Sequence, residues 1–285
     1  MRHLIMSLML LLAVLGLSAS AEAQTATCDA LSGAKRDVAQ AVLNSQHPYD
    51  CCDGTIAACL KQPKPCRLAR RLADQVCRMA KSGKSRADIE RSLARRAASM
   101  GAGGKKYNID LSLTPPAGSA GAKVTLVAYL CARCPYCARL TPHLYRSVTS
   151  GKLKGKVKFY VRPFPIRSHT HSTEGGMAMM AANKLGKFWE MLLHMYAHFN
   201  QFDPAKLPDC AASKGMNREQ FVKLMGDKAL RDKLVASKKE GVRNKVDATP
   251  TLFINGRKYT GNLDATTVED VLEEEYDRLT GKQRD

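Results

Sequence analysis

No apolar run in this chain is long enough for a membrane span, which takes roughly 20 residues. The one sustained stretch, Leu4 to Leu17, falls short, and no second run follows, which excludes a bundle of membrane helices. Acid is also scarce: 26 Asp and Glu stand against 45 Lys and Arg, a formal net charge of +19. On a cytosolic chain such a balance would point to nucleic acid. A lipid-attachment box is missing too, because Thr27 and Thr25 stand where a small and an apolar residue should precede Cys28.

What is present at the start explains the first two absences. Arg2, the apolar run and the small-x-small stretch Ala21-Glu22-Ala23 read as a secretory signal over residues 1–23. Its removal takes one charge of each sign, so the mature chain keeps its basic excess. Export removes the nucleic-acid reading. It leaves acidic membrane surfaces or acidic clients as partners, with a merely well-solvated basic surface as the plain alternative. The expected location is the periplasm or the exterior. There, ten cysteines are used by default as disulfides.

The pattern divides the remainder into a cysteine-rich helical domain over 24–100, a glycine-rich linker over 101–107 ("GAGGKK" within it) and a larger domain over 108–285. In the first, Leu68, Leu72, Val76 and Met79 recur at helical spacing, Gly83 stops that helix, and Ser85 with Asp88 caps the next. Cys28, Cys51, Cys52, Cys59, Cys66 and Cys77 lie here, and so small a unit is expected to rely on bridges among them. Six cysteines allow 15 pairings; adjacent Cys51 and Cys52 are expected to take different partners. The stretch from "CCDGTIAACL" to "GKSRADIERSLARR" resembles the helical hairpin of CcmH-type proteins of cytochrome c maturation. It departs from their redox motif, with Pro48 in the place of one cysteine. Structural bridging is the leading reading of this domain, and a redox or client-docking role the alternative.

In the larger domain, 107–113, 123–131 and 156–165 read as strands, 135–149 as a helix, and 173–245 as a long helical stretch. "TPTLFING" and "RKYTGNL" form a hairpin turned at Asn255-Gly256, and a helix over 265–279 ends the domain. This is an α/β order, β-β-α-β, helices, β-β-α, which fits a thioredoxin fold with a helical cap over about 168–247.

The chemistry lies in "CARCPYC", 131 to 137. Cys134 falls at a strand-to-helix junction, with Pro135 at the first helical position, where its missing N–H costs nothing. A sulfur there faces free backbone N–H groups and the positive end of the helix dipole. Such a field takes a cysteine pKa from about 8.5 to roughly 3.5–7. Cys137, in the first turn, can resolve a mixed disulfide on Cys134. Cys131 lies on the strand side and is read as a bystander. Cys131 and Cys210 remain as further bridge candidates, joining cap to core, or Cys210 to the first domain. An iron–sulfur run fails because Thr141 replaces a fourth cysteine. His194 with His198, and His169 with His171, read as solvated faces rather than metal ligands. The methionines of "GGMAMMAA" read as cap core, with a client cleft as the alternative. No metal or cofactor is expected.

"CPYC", with Pro142 eight residues after Cys134 and Thr249-Pro250 ahead of "TLFING", resembles the thioredoxin superfamily. The helical insertion makes DsbA-like proteins the most similar. The resemblance spans about 108–280 and implies a thiol:disulfide oxidoreductase. It makes Cys134 and Cys137 the working pair, Pro135 and Tyr136 the active-site dipeptide, and Thr249-Pro250 a cis-prolyl element facing the sulfurs. It also implies cysteine-containing clients and a quinone-linked membrane reoxidant of the DsbB or VKOR type. Ala128 departs from the family's buried acid. Oxidase is the leading direction. Isomerase or reductase serving cytochrome c maturation is the alternative, and a bridged binding module or a metal- or cluster-binding protein the alternative of another class. With no dimerisation heptads evident, a monomer is expected.

Overall fold

A computed structural model describes residues 26–101 and 104–282; the signal read over 1–23 lies outside them. Five helices come first: α1 (Ala26–Asp29), α2 (Gly33–Leu43), α3 (Ile56–Leu60), α4 (Arg67–Lys81) and α5 (Arg86–Met100). Ser85 caps α5 by accepting the Asp88 N–H, and Gly83, at φ 77°, supplies the left-handed turn between α4 and α5. Leu68, Leu72, Val76, Ile89 and Val42 fill the core of this unit. Around it three disulfides nest: Cys28–Cys77 encloses Cys51–Cys66, which encloses Cys52–Cys59. The adjacent cysteines do take different partners.

The second unit is a five-stranded sheet with helices on both faces. Its strands are β1 (Ala117–Gly118), β2 (Val124–Leu130), β3 (Val157–Pro163), β4 (Thr251–Ile254) and β5 (Arg257–Tyr259), ordered β1-β3-β2-β4-β5. Only β2 and β3 run parallel, joined by α6 (Pro135–Thr149). The central strands are near-continuous apolar runs because both faces are covered. The helical insertion comprises α7 (Ser172–Lys184), α8 (Phe188–Ala197), α9 (Leu207–Ser213), α10 (Arg218–Met225) and α11 (Lys228–Arg243). The last helix is α12 (Ala265–Thr280). The hairpin turns at Asn255 (φ 48°) and Gly256 (φ 80°), the paired positive φ of a type I′ turn.

One expectation needs correction. Residues 107–113 form no strand. Tyr107 makes one ladder bond, its N–H to Gly256 O at 2.8 Å. The Asp110 carboxylate then accepts both the N–H and the O–H of Ser112, at 2.8 and 2.7 Å, and turns the chain away. The short β1 takes the edge position instead. At the start of the glycine-rich stretch Arg257 donates from Nη1 to the carbonyls of Gly101 (3.0 Å) and Met100 (3.3 Å).

The two units are joined along α12. Asp270, Glu274 and Asp277, at i, i+4 and i+7, share one face, which meets α4 and α5. Arg78 reaches Asp270 at 2.8 Å and Arg71 reaches Asp277 at 2.6 Å. At the centre Arg96 is 0% exposed. It donates to Glu274 Oε2 at 2.7 Å and to Gln75 Oε1 at 2.7 Å, while the Tyr49 hydroxyl donates to Glu274 Oε1. Every donor of this buried group thus faces an acceptor or a neighbour that can serve as one, which is what makes burial of the charge tolerable.

Removing Glu274 alone would leave a buried cation unpaired. Glu274→Ala should destabilise the protein by about 3–5 kcal/mol, read as a fall in the urea midpoint. Arg96→Met combined with Glu274→Leu should recover most of that loss; a double variant as weak as the single one would contradict the pairing.

Candidate active site

The sheet register places the site. Strands β2 and β4 run antiparallel with Tyr129 opposite Thr251, so the residues just after β2 and just before β4 meet at one end of the sheet. Beyond β2, Cys131 to Arg133 turn the chain, with the Cys134 N–H donating to Cys131 O at 3.1 Å. Cys134 is the N-cap of α6, in extended backbone (φ −98°, ψ 120°), and Pro135 occupies N1. Facing it, Thr249–Pro250 is a cis peptide, and Cys134 Sγ lies 3.1 Å from the Thr249 carbonyl oxygen.

The two thiols are pushed in opposite directions. The Cys134 thiol is lowered to about 5, against the drag of burial. The Cys137 thiol donates to its sulfur, and the Thr249 hydroxyl and the amides of Cys137 and Tyr136 assist. That hydroxyl is buried and has no hydrogen-bond partner among the described residues, which leaves its proton free to turn toward the Cys134 sulfur. Cys137 is pushed well up by burial, and further by its hydrogen bond to Cys134 and the charge there. One sulfur is a thiolate at neutral pH and the other stays protonated, the division that exchange through a mixed disulfide needs. Cys134 itself is only 1% exposed, whereas Tyr136 between the pair is 63% exposed.

Cys131 lies outside this field. Burial pushes its thiol up; its sulfur receives the Arg133 N–H at 3.4 Å and lies 3.4 Å from His169 Nδ1. Cys131 and Cys210 are free thiols, which corrects their place among the bridge candidates. Cys131 is sealed against His169 beneath the turn. Cys210 sits on α9, where a small cavity of about 150 Å³ brings it together with His194 and His198, whose rings are 4.4 Å apart. Among the described residues no group of three or more metal-ligating side chains forms. Met177 and Met180 pack on Leu230 and Leu234, inside the cap. His171 caps α7 and faces Glu174 at 3.6 Å.

Sequence reasoning missed three contributors. Arg133 is stacked between Phe199 and Phe202, 4.6 Å from each ring, and donates to Phe199 O at 2.6 Å, tying the cap to the site. Tyr196, buried on α8, donates to Cys131 O at 3.2 Å; burial and the nearby cysteine sulfurs push its phenol well up. His169 is the third: the sequence suggests a solvated face, but it is half-buried against the Cys131 sulfur. Only the aromatic spacing around 199–202 hinted at Arg133 or Tyr196. Ala128 is buried among apolar neighbours, so no carboxylate stands at that position.

The fold and its paired cysteines define the class: a thioredoxin-like protein with a helical insertion. A family model described as thioredoxin matches residues 113–274, and the chain belongs to that family. Solved structures share the fold. BdbD from Bacillus subtilis aligns at a TM-score of 0.54 and 17% identity, over 61% of this chain and 98% of that one. The thiol-disulfide exchange protein alpha-DsbA2 from Wolbachia pipientis aligns at 0.51 and 19%, over 66% and 94%. The catalytic domain of Proteus mirabilis ScsC aligns at 0.50 and 19%, over 65% and 97%. Among curated sequences, the Na(+)/H(+) antiporter NhaA of Herminiimonas arsenicoxydans is 28% identical over 179 residues, which are 60% of this chain and 28% of that protein. NhaA 1 of Mycolicibacterium gilvum is 29% identical over 160 residues, 55% and 25%. The chain thus spans about a quarter of the length of these curated relatives.

Ultraviolet titration of the thiolate in the reduced protein should place Cys134 near 5, with Cys137 silent through neutrality. Thr249→Val should move the Cys134 midpoint upward. The sign follows from linkage: folding favours the thiolate, so this stabilisation is complete above about 9, the ordinary thiol value, and is lost as pH falls through about 5. A midpoint near that ordinary value would overturn the assignment.

Proposed function

We propose that the protein is an exported oxidase that introduces disulfides into client proteins through Cys134 and Cys137. The observation that carries this is the lowered Cys134 thiol at the α6 N-terminus, beside the Cys137 thiol and the Thr249 hydroxyl. A thiolate stabilised in the reduced state makes the disulfide the less favoured form, so the couple pulls electrons from clients. The three nested disulfides of the first unit support an oxidising compartment, as does the apolar start of the chain.

The steps follow from the two sulfurs. A client thiolate attacks Cys134 Sγ of the oxidised pair; the Cys134–Cys137 bond breaks and the Cys137 sulfur leaves and takes a proton. A second client thiolate then attacks the client sulfur of the mixed disulfide and releases Cys134 as thiolate. Two client thiols have become one disulfide, two electrons rest on the protein pair, and the client's two protons have gone to Cys137 and to solvent. Leaving is easy from Cys134 because its anion is already stabilised. Pro135 and Tyr136 shape the approach, the exposed Tyr136 ring forming the rim. Thr249 and Pro250 present the backbone along which an extended client can lie. A quinone-linked membrane oxidoreductase of the DsbB or VKOR type would take the two electrons back. The reading treats the protein as a monomer that needs no metal or cofactor.

The Pro135-Tyr136 dipeptide favours a second reading, a reductase or isomerase, which the couple's potential separates. Equilibration with glutathione should give a reduction potential near about −120 mV; a value near about −270 mV would make the protein a reductant. Cys137→Ala should accumulate client mixed disulfides on Cys134, mapped by peptide mass spectrometry. Adducts on Cys131 instead would overturn the division of labour between the sulfurs.

A further inference from the structure

Beside the dithiol runs a cleft of about 690 Å³ that the thioredoxin unit does not form alone. Tyr136 and Arg139 of α6 line it, with Thr249, Pro250 and the loop from Gly261 to Asp264, and Arg95 of α5 adds one side chain from the cysteine-rich unit. Helix α5 is fixed there by a short lattice of hydrogen bonds. The Ser99 hydroxyl donates to Arg95 O at 2.8 Å, and the Thr260 N–H donates to Ser99 Oγ at 2.9 Å. The Thr260 hydroxyl lies 2.8 Å from Ser99 Oγ and 3.4 Å from Arg95 O. Arg95 is therefore held against the loop that leads into α12, although it is exposed and belongs to the other unit.

The charges in the cleft are unevenly committed. Asp264 is occupied as the cap of α12, accepting the Thr267 N–H at 2.9 Å. Arg139 lies over the Tyr136 ring at 4.9 Å, a contact that stiffens it and leaves its charge unneutralised. Neither Arg95 nor Arg139 has a carboxylate partner among the described residues. Two free guanidinium groups thus stand in the concavity lined by Thr249 and Pro250, beside the first turn of the helix that Cys134 caps. Guanidinium favours planar, bidentate partners, and a carboxylate is the group of that shape on a polypeptide. A flat bilayer surface cannot enter a concavity, whereas an extended peptide can.

Building on the oxidase reading, we infer that the cleft selects client segments with an Asp or Glu side chain close to the reactive cysteine. Arg139, and Arg95 from the cysteine-rich unit, would be its specificity determinants. The first unit then contributes Arg95 to the client site and is more than a stapled appendage.

The test uses the full-length oxidised protein and two reduced dithiol peptides that differ only in Glu or Gln two residues from one cysteine. Exposed charge pairs of this kind are modest, so kcat/KM for the Glu peptide should exceed that for the Gln peptide by about 3- to 5-fold at low salt. The ratio should approach one near 0.5 M salt, on the order of where the screening length falls within the cleft. Arg95→Ala should lower the ratio, and Arg95→Glu should invert it in favour of a Lys peptide. Lys228→Ala, on α11 and outside the cleft, removes a positive charge and should keep the ratio. A wild-type ratio of one, or a ratio unmoved by Arg95→Ala, would overturn the inference and leave the dithiol chemistry intact. A wild-type protein that oxidises neither peptide would overturn the oxidase reading itself.

Discussion

The anion at Cys134 is the constraint around which the second unit is arranged. A sulfur gains from a helix N-terminus only if the chain delivers it there in extended backbone, and β2 followed by Pro135 does so. It gains from Thr249 only if β4 begins beside the end of β2, which the antiparallel register secures. Burial opposes the charge at every point, so each donor has to be in place at once. The cap contributes by filling rather than by charge. Arg133 is clasped between two phenylalanines, and Tyr196 supports the Cys131 carbonyl under the turn.

Helix α12 gives the two units a common spine. Glu269 and Glu273 turn toward Lys152, Lys156 and His143 of the thioredoxin core, Glu274 and Asp277 turn toward the arginines of α4 and α5, and Asp270 bridges the two, meeting both Arg78 and Lys152. In so basic a chain, carboxylates are the scarce partner, and a large share of them is spent on one helix. An ion pair as deeply buried as Arg96–Glu274 is no strong source of stability compared with apolar packing. Its value lies in specificity, because sliding the units past each other would strand a charge.

Much of this was legible in the residues. Periodicity located β2, β3, the hairpin and most helices, because those elements are either apolar throughout or cleanly amphipathic. Local field arguments separated Cys134 from Cys131, since the relevant geometry lies within a few residues. The strand expected over 107–113 failed because Asp110 offered the backbone a competing partner. Cysteine pairing was opaque, as it depends on which helices pack rather than on spacing. The burial of Arg96 was hidden for a related reason: arginine in a basic stripe looks solvated until an acid from 178 positions away meets it. The row at 270, 274 and 277 was readable at helical spacing, but its destination was not.

The concentric bridges bear on how the molecule is made. All three close within residues 28–77, ahead of the stretch that carries Cys134 and Cys137. A chain emerging amino end first therefore presents these six thiols before Cys134 and Cys137 exist in folded form. Any bridge closed at that stage draws its oxidising equivalents from outside the nascent chain, so the first unit can be stapled before the thioredoxin unit has folded.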